Sequence, residues 1–132
     1  MCIFCEIIKG NIPCYKVYED EFCIAFLDIS QTSIGHTLVL PKEHYKNIFE
    51  LPENISEHLG KIVCKLSKHI KEKLNISSIN ILNNNGEIAG QTVEHFHIHL
   101  IPRYSDSDIK IEFNSNNLSK EEFNELCEKI KY

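Results

Sequence analysis

The sequence predicts an α+β domain: an antiparallel five-stranded sheet with a long helix and a C-terminal helix on one side of it. Three observations carry that prediction. Residues 53–74 place apolar side chains at helical spacing. Short β-prone runs are punctuated by glycine, proline and acidic turns. Histidine alternates with large apolar residues through His95-Phe96-His97-Ile98-His99-Leu100. That period of two lines three imidazoles along one face of a strand and turns Phe96, Ile98 and Leu100 into the core.

The elements follow in order. Cys14 to Val17 and Phe22 to Leu27 read as strands joined by a polar hairpin at Glu19-Asp20-Glu21. A third strand, His36 to Leu40, starts after Gly35 and is stopped by Pro41. From Glu53 to Leu74, the residues Leu59, Ile62, Val63, Leu66, Ile70 and Leu74 form an apolar stripe, with Lys61, Lys65, Lys68 and Lys71 on the wet face. His58 and His69 are assigned to solvent-exposed positions of that helix. Strands are expected near Ile79 to Asn83 and Glu94 to Ile101, and the alternation from Asp108 to Phe113 reads as a short extra strand. After a polar loop at Asn114 to Asn117, the last helix opens on a capping box, Ser119-x-x-Glu122. It is expected to bury Phe123, Leu126, Cys127 and Ile130.

At 132 residues the chain is one domain, and its 42% apolar and 25% charged residues are ordinary for a globular protein. A net charge of -5 without a basic stretch argues against general nucleic-acid binding. The first twenty residues include Glu6, Glu19 and Asp20 and no apolar leader, and no run reaches membrane-spanning length. The expectation is a cytoplasmic protein with neither membrane nor nucleic-acid partner. Of the six cysteines only Cys2 and Cys5 have suggestive spacing; Cys14, Cys23, Cys64 and Cys127 are scattered and most are expected to be small buried thiols in a reducing compartment.

A row of imidazoles can ligate a metal, supply a nucleophile beside an anion, or sit on a surface without a task. The neighbours favour the anion. Between the strand near Ile79 to Asn83 and the histidine strand runs Asn83-Asn84-Asn85-Gly86-Glu87-Ile88-Ala89-Gly90-Gln91-Thr92, a polar loop whose glycines permit close ligand approach. Asn84, Gln91 and Thr92 add neutral hydrogen-bonding groups, which suit a phosphate better than a bare cation.

With these residues in view, the chain resembles the histidine triad (HIT) superfamily of nucleotide hydrolases and transferases. The family motif His-φ-His-φ-His-φ-φ is matched by His95 through Ile101, and the likeness runs from Cys2 to about Tyr104. Ile3-Phe4-Cys5-Glu6-Ile7-Ile8 through Ile12-Pro13 resembles the segment lining the family's base pocket. Phe26-Leu27-Asp28-Ile29 resembles the strand with its ribose-binding carboxylate. Gly35-His36-Thr37-Leu38-Val39 with Pro41-Lys42-x-His44, Asn84-x-Gly86 and Gly90-Gln91-Thr92 complete the match. The resemblance implies a HIT-like fold over residues 1–106, a C-terminal extension at 107–132 within the same compact domain, and a two-fold homodimer.

It also implies roles. His97 would attack the α-phosphate of a purine nucleotide derivative, such as an adenosine phosphoramidate, an adenylylated compound or a dinucleoside polyphosphate. A nucleotidyl-histidine would form and water would release the nucleoside monophosphate. His97 would need its other ring nitrogen held as a donor, best by a backbone carbonyl. His99 would donate to the phosphate or leaving group, His36 would support the triad, and Gln91, Thr92 and Asn84 would hold the non-bridging oxygens. Asp28 would bind the ribose, and Ile3, Phe4, Ile7, Phe26 and Ile29 would sandwich the purine. Cys2-x-x-Cys5 is half of a tetrahedral zinc site, and similarity to zinc-bearing bacterial members adds His44 and His95, giving a structural Zn²⁺ with four protein ligands and no organic cofactor. His99 stands where the transferase branch carries Gln, which favours hydrolysis. Glu94 stands where many relatives have an apolar or aromatic residue. Two other functions compete: a non-catalytic nucleotide- or zinc-binding regulatory module, and a metal enzyme using the histidine row as ligands. The latter needs a converging carboxylate, and Glu94 points to the opposite strand face from His95.

Overall fold

The computed structural model describes residues 1–132. In chain order the elements are α1 (Ile3–Ile8), β1 (Lys16–Glu19), β2 (Cys23–Leu27), β3 (Thr37–Pro41), α2 (Glu53–Leu74), β4 (Ser78–Leu82), β5 (Ile98–Arg103) and α3 (Lys120–Ile130). The five strands form one antiparallel sheet in the order β1-β2-β3-β5-β4. No helix is long and apolar enough to cross a membrane.

Alternation in the central strands divides the core between the two faces of the sheet. Cys23, Ala25, Val39, Phe96 and Leu100 face α2 and pack with Leu59, Ile62, Val63, Leu66 and Ile70, the stripe expected from the sequence. Ile24, Phe26, Leu38 and Leu40 face the other way and are covered by Phe4 of α1. Helices therefore lie on both faces, where the sequence pointed to one. The reason is α1 itself: six residues are too few to show a helical period, and the helix persists because Phe4 packs edge-on against Phe26, 5.7 Å between ring centroids.

Other expectations need correction. His58 is not a solvent-exposed helix residue: its Nε2 lies 2.7 Å from Asp20 Oδ2, tying α2 to the β1–β2 hairpin. Burial pushes the Asp20 carboxyl upward, but bonds from His58, Tyr18 and the backbone N–H groups of Cys23 and Phe22 outweigh it and hold the group well below its usual range. Residues 108–113 form no strand, and of the scattered cysteines only Cys23 is buried, Cys64 standing on the wet face of α2 and Cys127 on α3, both exposed. Ser119 and Glu122 do make the capping box of α3, but the helix buries none of its side chains. Phe123 is 56% exposed, Leu126 44% and Ile130 72%, so the amphipathic pattern records a face that the chain leaves uncovered.

Gly35 is demanded by its place before β3. Its φ is +98°, and a Cβ there would stand 2.5 Å from Leu74 Cδ1 at the end of α2.

Candidate active site and adjoining thiol–imidazole cluster

The three histidines arrive by a route the alternation alone does not describe. Pairing between β3 and β5 runs only from Thr37↔Leu100 to Val39↔Ile98, so β5 begins at Ile98 and His95 and His97 precede it. Upstream the backbone leaves the ladder, and Phe96 N–H donates instead to Tyr45 O at 2.7 Å. The alternation of faces nevertheless continues. Phe96 is 4% exposed on the α2 side, while His95 and His97 pack edge-on against Phe4 at ring-centroid distances of 5.9 and 5.1 Å.

Each imidazole has its tautomer set by a partner. His97 Nδ1 donates to the His95 carbonyl at 2.6 Å, which leaves Nε2 with a free lone pair. Thr32 N–H donates to His36 Nδ1 at 3.3 Å, so His36 carries its proton on Nε2 and gives it to His99 Nδ1 at 2.9 Å. His99 then presents Nε2–H as a donor. The rings of His97 and His99 stand 4.9 Å apart. Burial pulls His97 and His36 below the ordinary imidazole range, partly opposed by the His95 carbonyl for His97 and by Asp28 for His36. His99 falls to about 4, through burial first and then its histidine neighbours. The triad is a set of neutral rings at neutral pH.

Beside it opens a cleft of about 380 Å³. Ile3, Phe4, Ile7, Phe26 and Ile29 all contribute to its wall, with Asp28 and Thr92 at the polar side. Asp28 does two things at once. Its Oδ1 accepts Ser30 N–H at 2.7 Å in an Asx turn, and its Oδ2 lies 3.8 Å from His36 Nε2, beyond hydrogen-bond reach. Gln91 is placed differently from a phosphate donor: Nε2 gives its hydrogens to Lys46 O (2.7 Å) and Val93 O (3.0 Å), and Oε1 accepts Gly86 N–H at 2.8 Å. Its amide braces the loop from inside. Asn84 lies against Gly90, whose added Cβ would sit 3.8 Å from Asn84 Nδ2. Glu94 pairs with Lys46 at 3.3 Å, on the rim of the polar pocket beside the loop.

Cys2, Cys5, His44 and His95 converge on one point, their potential ligand atoms all within 4.8 Å of one another. The donor chemistry fits a tetrahedral cation. His95 Nε2 donates to Pro41 O at 2.8 Å, so Nδ1 is the unprotonated nitrogen, and it faces Cys2 Sγ at 3.5 Å and Cys5 Sγ at 3.6 Å. Cys5 Sγ and His44 Nδ1 are 3.4 Å apart. Zinc–sulfur and zinc–nitrogen bonds of ordinary length subtend a tetrahedral S···N edge of about 3.6 Å. Those spacings suit an ion at the centre.

Asn83 was not singled out by sequence reasoning, because three consecutive asparagines read as a loop. Its Nδ2 donates to the His97 carbonyl at 2.8 Å.

Comparison with known proteins gives the following likenesses. A family model described as the HIT domain matches residues 9–106. The chain is 50% identical over 107 residues to the hit protein of Bacillus subtilis, covering 81% of this chain and 74% of that one. It is 42% identical over 130 residues to an adenosine 5'-monophosphoramidase of Schizosaccharomyces pombe, covering 98% and 95%. Among solved structures, a HIT family protein from Bacillus anthracis superposes with a TM-score of 0.93 at 50% identity, over 98% of this chain and 94% of that one. A zinc-bound histidine triad family protein from Mycobacterium smegmatis gives 0.78 at 32% identity, over 87% and 84%.

Proposed function

The chain belongs to the HIT domain family, and from that premise we propose that it is a nucleotide hydrolase acting at the α-phosphate of purine nucleotide derivatives, adenosine phosphoramidates foremost. The observation that carries the proposal is the bond from His97 Nδ1 to the His95 carbonyl, because it leaves a bare Nε2 lone pair on a ring packed against Phe4, a wall residue of a nucleotide-sized cleft. Similarity to the adenosine 5'-monophosphoramidase adds the substrate class.

His97 Nε2 attacks phosphorus and the bond to the leaving amine or phosphate breaks, the leaving group taking any proton it needs from solvent while His99 Nε2–H donates a hydrogen bond to it or to a phosphate oxygen. Water then attacks phosphorus, the P–Nε2 bond breaks to restore neutral His97, the proton of the water passes to solvent, and the nucleoside monophosphate departs. No strong base is required, since a neutral imidazole is already a nucleophile. The neutral state of His99 makes it a donor that does not repel His97. Thr92 and Asn84 hold phosphate oxygens as charge builds. Gln91 serves them by keeping the loop in shape. Asp28 Oδ2 takes the ribose hydroxyls, and the wall formed by Ile3, Phe4, Ile7, Phe26 and Ile29 takes the base.

Cys2, Cys5, His44 and His95 would hold a structural zinc ion, with four protein ligands closing the coordination sphere against substrate. The tautomer of His95 and the S···N spacings support this, as does the zinc-bound relative. The active species is a homodimer, residues 107–132 being an extension of the 1–106 domain. Support comes from the unpaired outer edge of β4, where Ile81 and Leu82 are exposed, and from the uncovered apolar face of α3.

Incubation with adenosine phosphoramidate tests the core of the proposal. The wild type is expected to release AMP, an acid-free quench to show one nucleotidyl adduct on His97, and His97→Asn to lose turnover by at least about a thousandfold. Tight AMP binding without turnover in the wild type would instead establish the regulatory-module reading.

A further inference from the structure

We propose that Asn83 is a positioning residue for His97, its side-chain amide standing in for the ladder bond that the nucleophile's own backbone lacks; the proposal rests on the reading of His97 as nucleophile. Pairing of β4 with β5 runs from Ser78↔Arg103 to Leu82↔His99 and stops there. The next carbonyl along β5 toward its start that would face β4 is that of His97, and no strand lies opposite it. Asn83, the first residue past β4, fills the gap by folding its side chain across, Nδ2 to His97 O at 2.8 Å.

The amide is itself held in the productive orientation. Asn83 Oδ1 accepts from Asn85 Nδ2, and Asn85 Oδ1 accepts Ile48 N–H at 2.8 Å in the segment before α2. With its oxygen occupied by Asn85, the Asn83 amide must turn its hydrogens toward His97. His97 is thus pinned twice, at the carbonyl by Asn83 and at the ring by His95. Releasing the carbonyl lets the peptide tilt, and the ring swings with it. A misplacement near 1 Å costs about a hundredfold in rate when bond formation needs aligned orbitals.

The test uses the full-length, metal-loaded protein with Asn83→Ala, Asn83→Asp and Asn85→Ala. Asn83→Asp keeps the shape and the contact to Asn85 while replacing the donor with a second acceptor against the His97 carbonyl. With adenosine phosphoramidate, both Asn83 variants are expected to lose about thirtyfold or more in kcat with KM within about threefold, and Asn85→Ala to lose less. The ¹⁵N spectrum of the His97 imidazole is the second readout. The wild type should show a single Nδ1–H tautomer and the Asn83 variants an averaged one. A folded Asn83→Ala or Asn83→Asp with kcat within twofold of wild type overturns the proposal, as does a kcat loss with unchanged His97 ¹⁵N shifts. Failure of the underlying reading looks different: a wild type without turnover, or His97→Asn that still turns over. In that event the ¹⁵N spectra alone decide, averaged shifts upholding the role of Asn83 as the clamp on His97 and unchanged shifts ending it.

Discussion

At the scale of single residues the site is a set of protons assigned by neighbours. The direction of the His36–His99 bond follows from one backbone N–H, that of Thr32. The pH consequence runs through His99. Burial and its histidine neighbours lower it to about 4, so above that pH it is neutral in the folded enzyme, while the same ring unfolded titrates near ~6.5. Its contribution to kcat/KM should therefore stay level as pH falls from 7.5 to 5 and decline only on approach to 4. A pH–rate profile of the free enzyme with an acid limb centred near ~6.5 contradicts this. Between about 6.5 and 4 the unfolded chain binds the extra proton, so this ring also makes stability fall with falling pH across that window. The imidazole row was legible because side chains alternate along an extended chain and the cysteine pair by its spacing, while His36, Asp28 and the role of His44 entered through the family likeness. The work of Asn83 and the inward commitment of Gln91 were not legible, since an amide's partners depend on three-dimensional loop closure.

At the scale of elements, α2 was legible almost to the residue because 22 residues repeat one pattern with lysines opposite. Strand positions were found but their ends shifted. Pairing partners set where a strand stops, and Phe96 leaves the ladder for Tyr45 for reasons no local pattern carries. Helix α1 was missed for its brevity, and the burial of α3 was misjudged because amphipathicity specifies a face without specifying its cover. Gly35 sits where elements meet: β3 starts immediately after it and α2 ends against it. Gly35→Ala combines a left-handed backbone with a contact to Leu74 that must yield. It is expected to cost about 1–3 kcal/mol, read as a lower midpoint in thermal or urea unfolding. An unchanged midpoint means Leu74 moves freely.

For the whole molecule, the proposed dimer would give the uncovered faces of α3 and β4 their cover. Light scattering after gel filtration is expected to give twice the 15.3 kDa chain mass, and a Phe123→Asp, Ile130→Asp double variant to shift toward monomer. A wild type that is monomeric at tens of micromolar contradicts the dimer. The thiol–imidazole cluster joins α1, the segment after β3 and the approach to β5, three distant parts of the chain. Metal removal should be felt globally: a strong chelator is expected to lower the melting temperature by on the order of 10 °C, with zinc restoring it. No shift on chelation, together with no zinc by elemental analysis, speaks for free thiols at Cys2 and Cys5.

The segment from His95 to Leu100 interleaves two vocabularies, imidazoles on the face opposite α2, two of them against Phe4, and Phe96, Ile98 and Leu100 toward α2. Point changes can therefore be tuned separately for chemistry or for folding, but a frame slip cannot. Deleting or inserting one amino acid there would thrust aliphatic groups at the nucleotide and rings with polar nitrogens into the hydrocarbon interior, abolishing both together. Drift in this lineage should thus confine its replacements to the apolar places 96, 98 and 100 and be devoid of length variation.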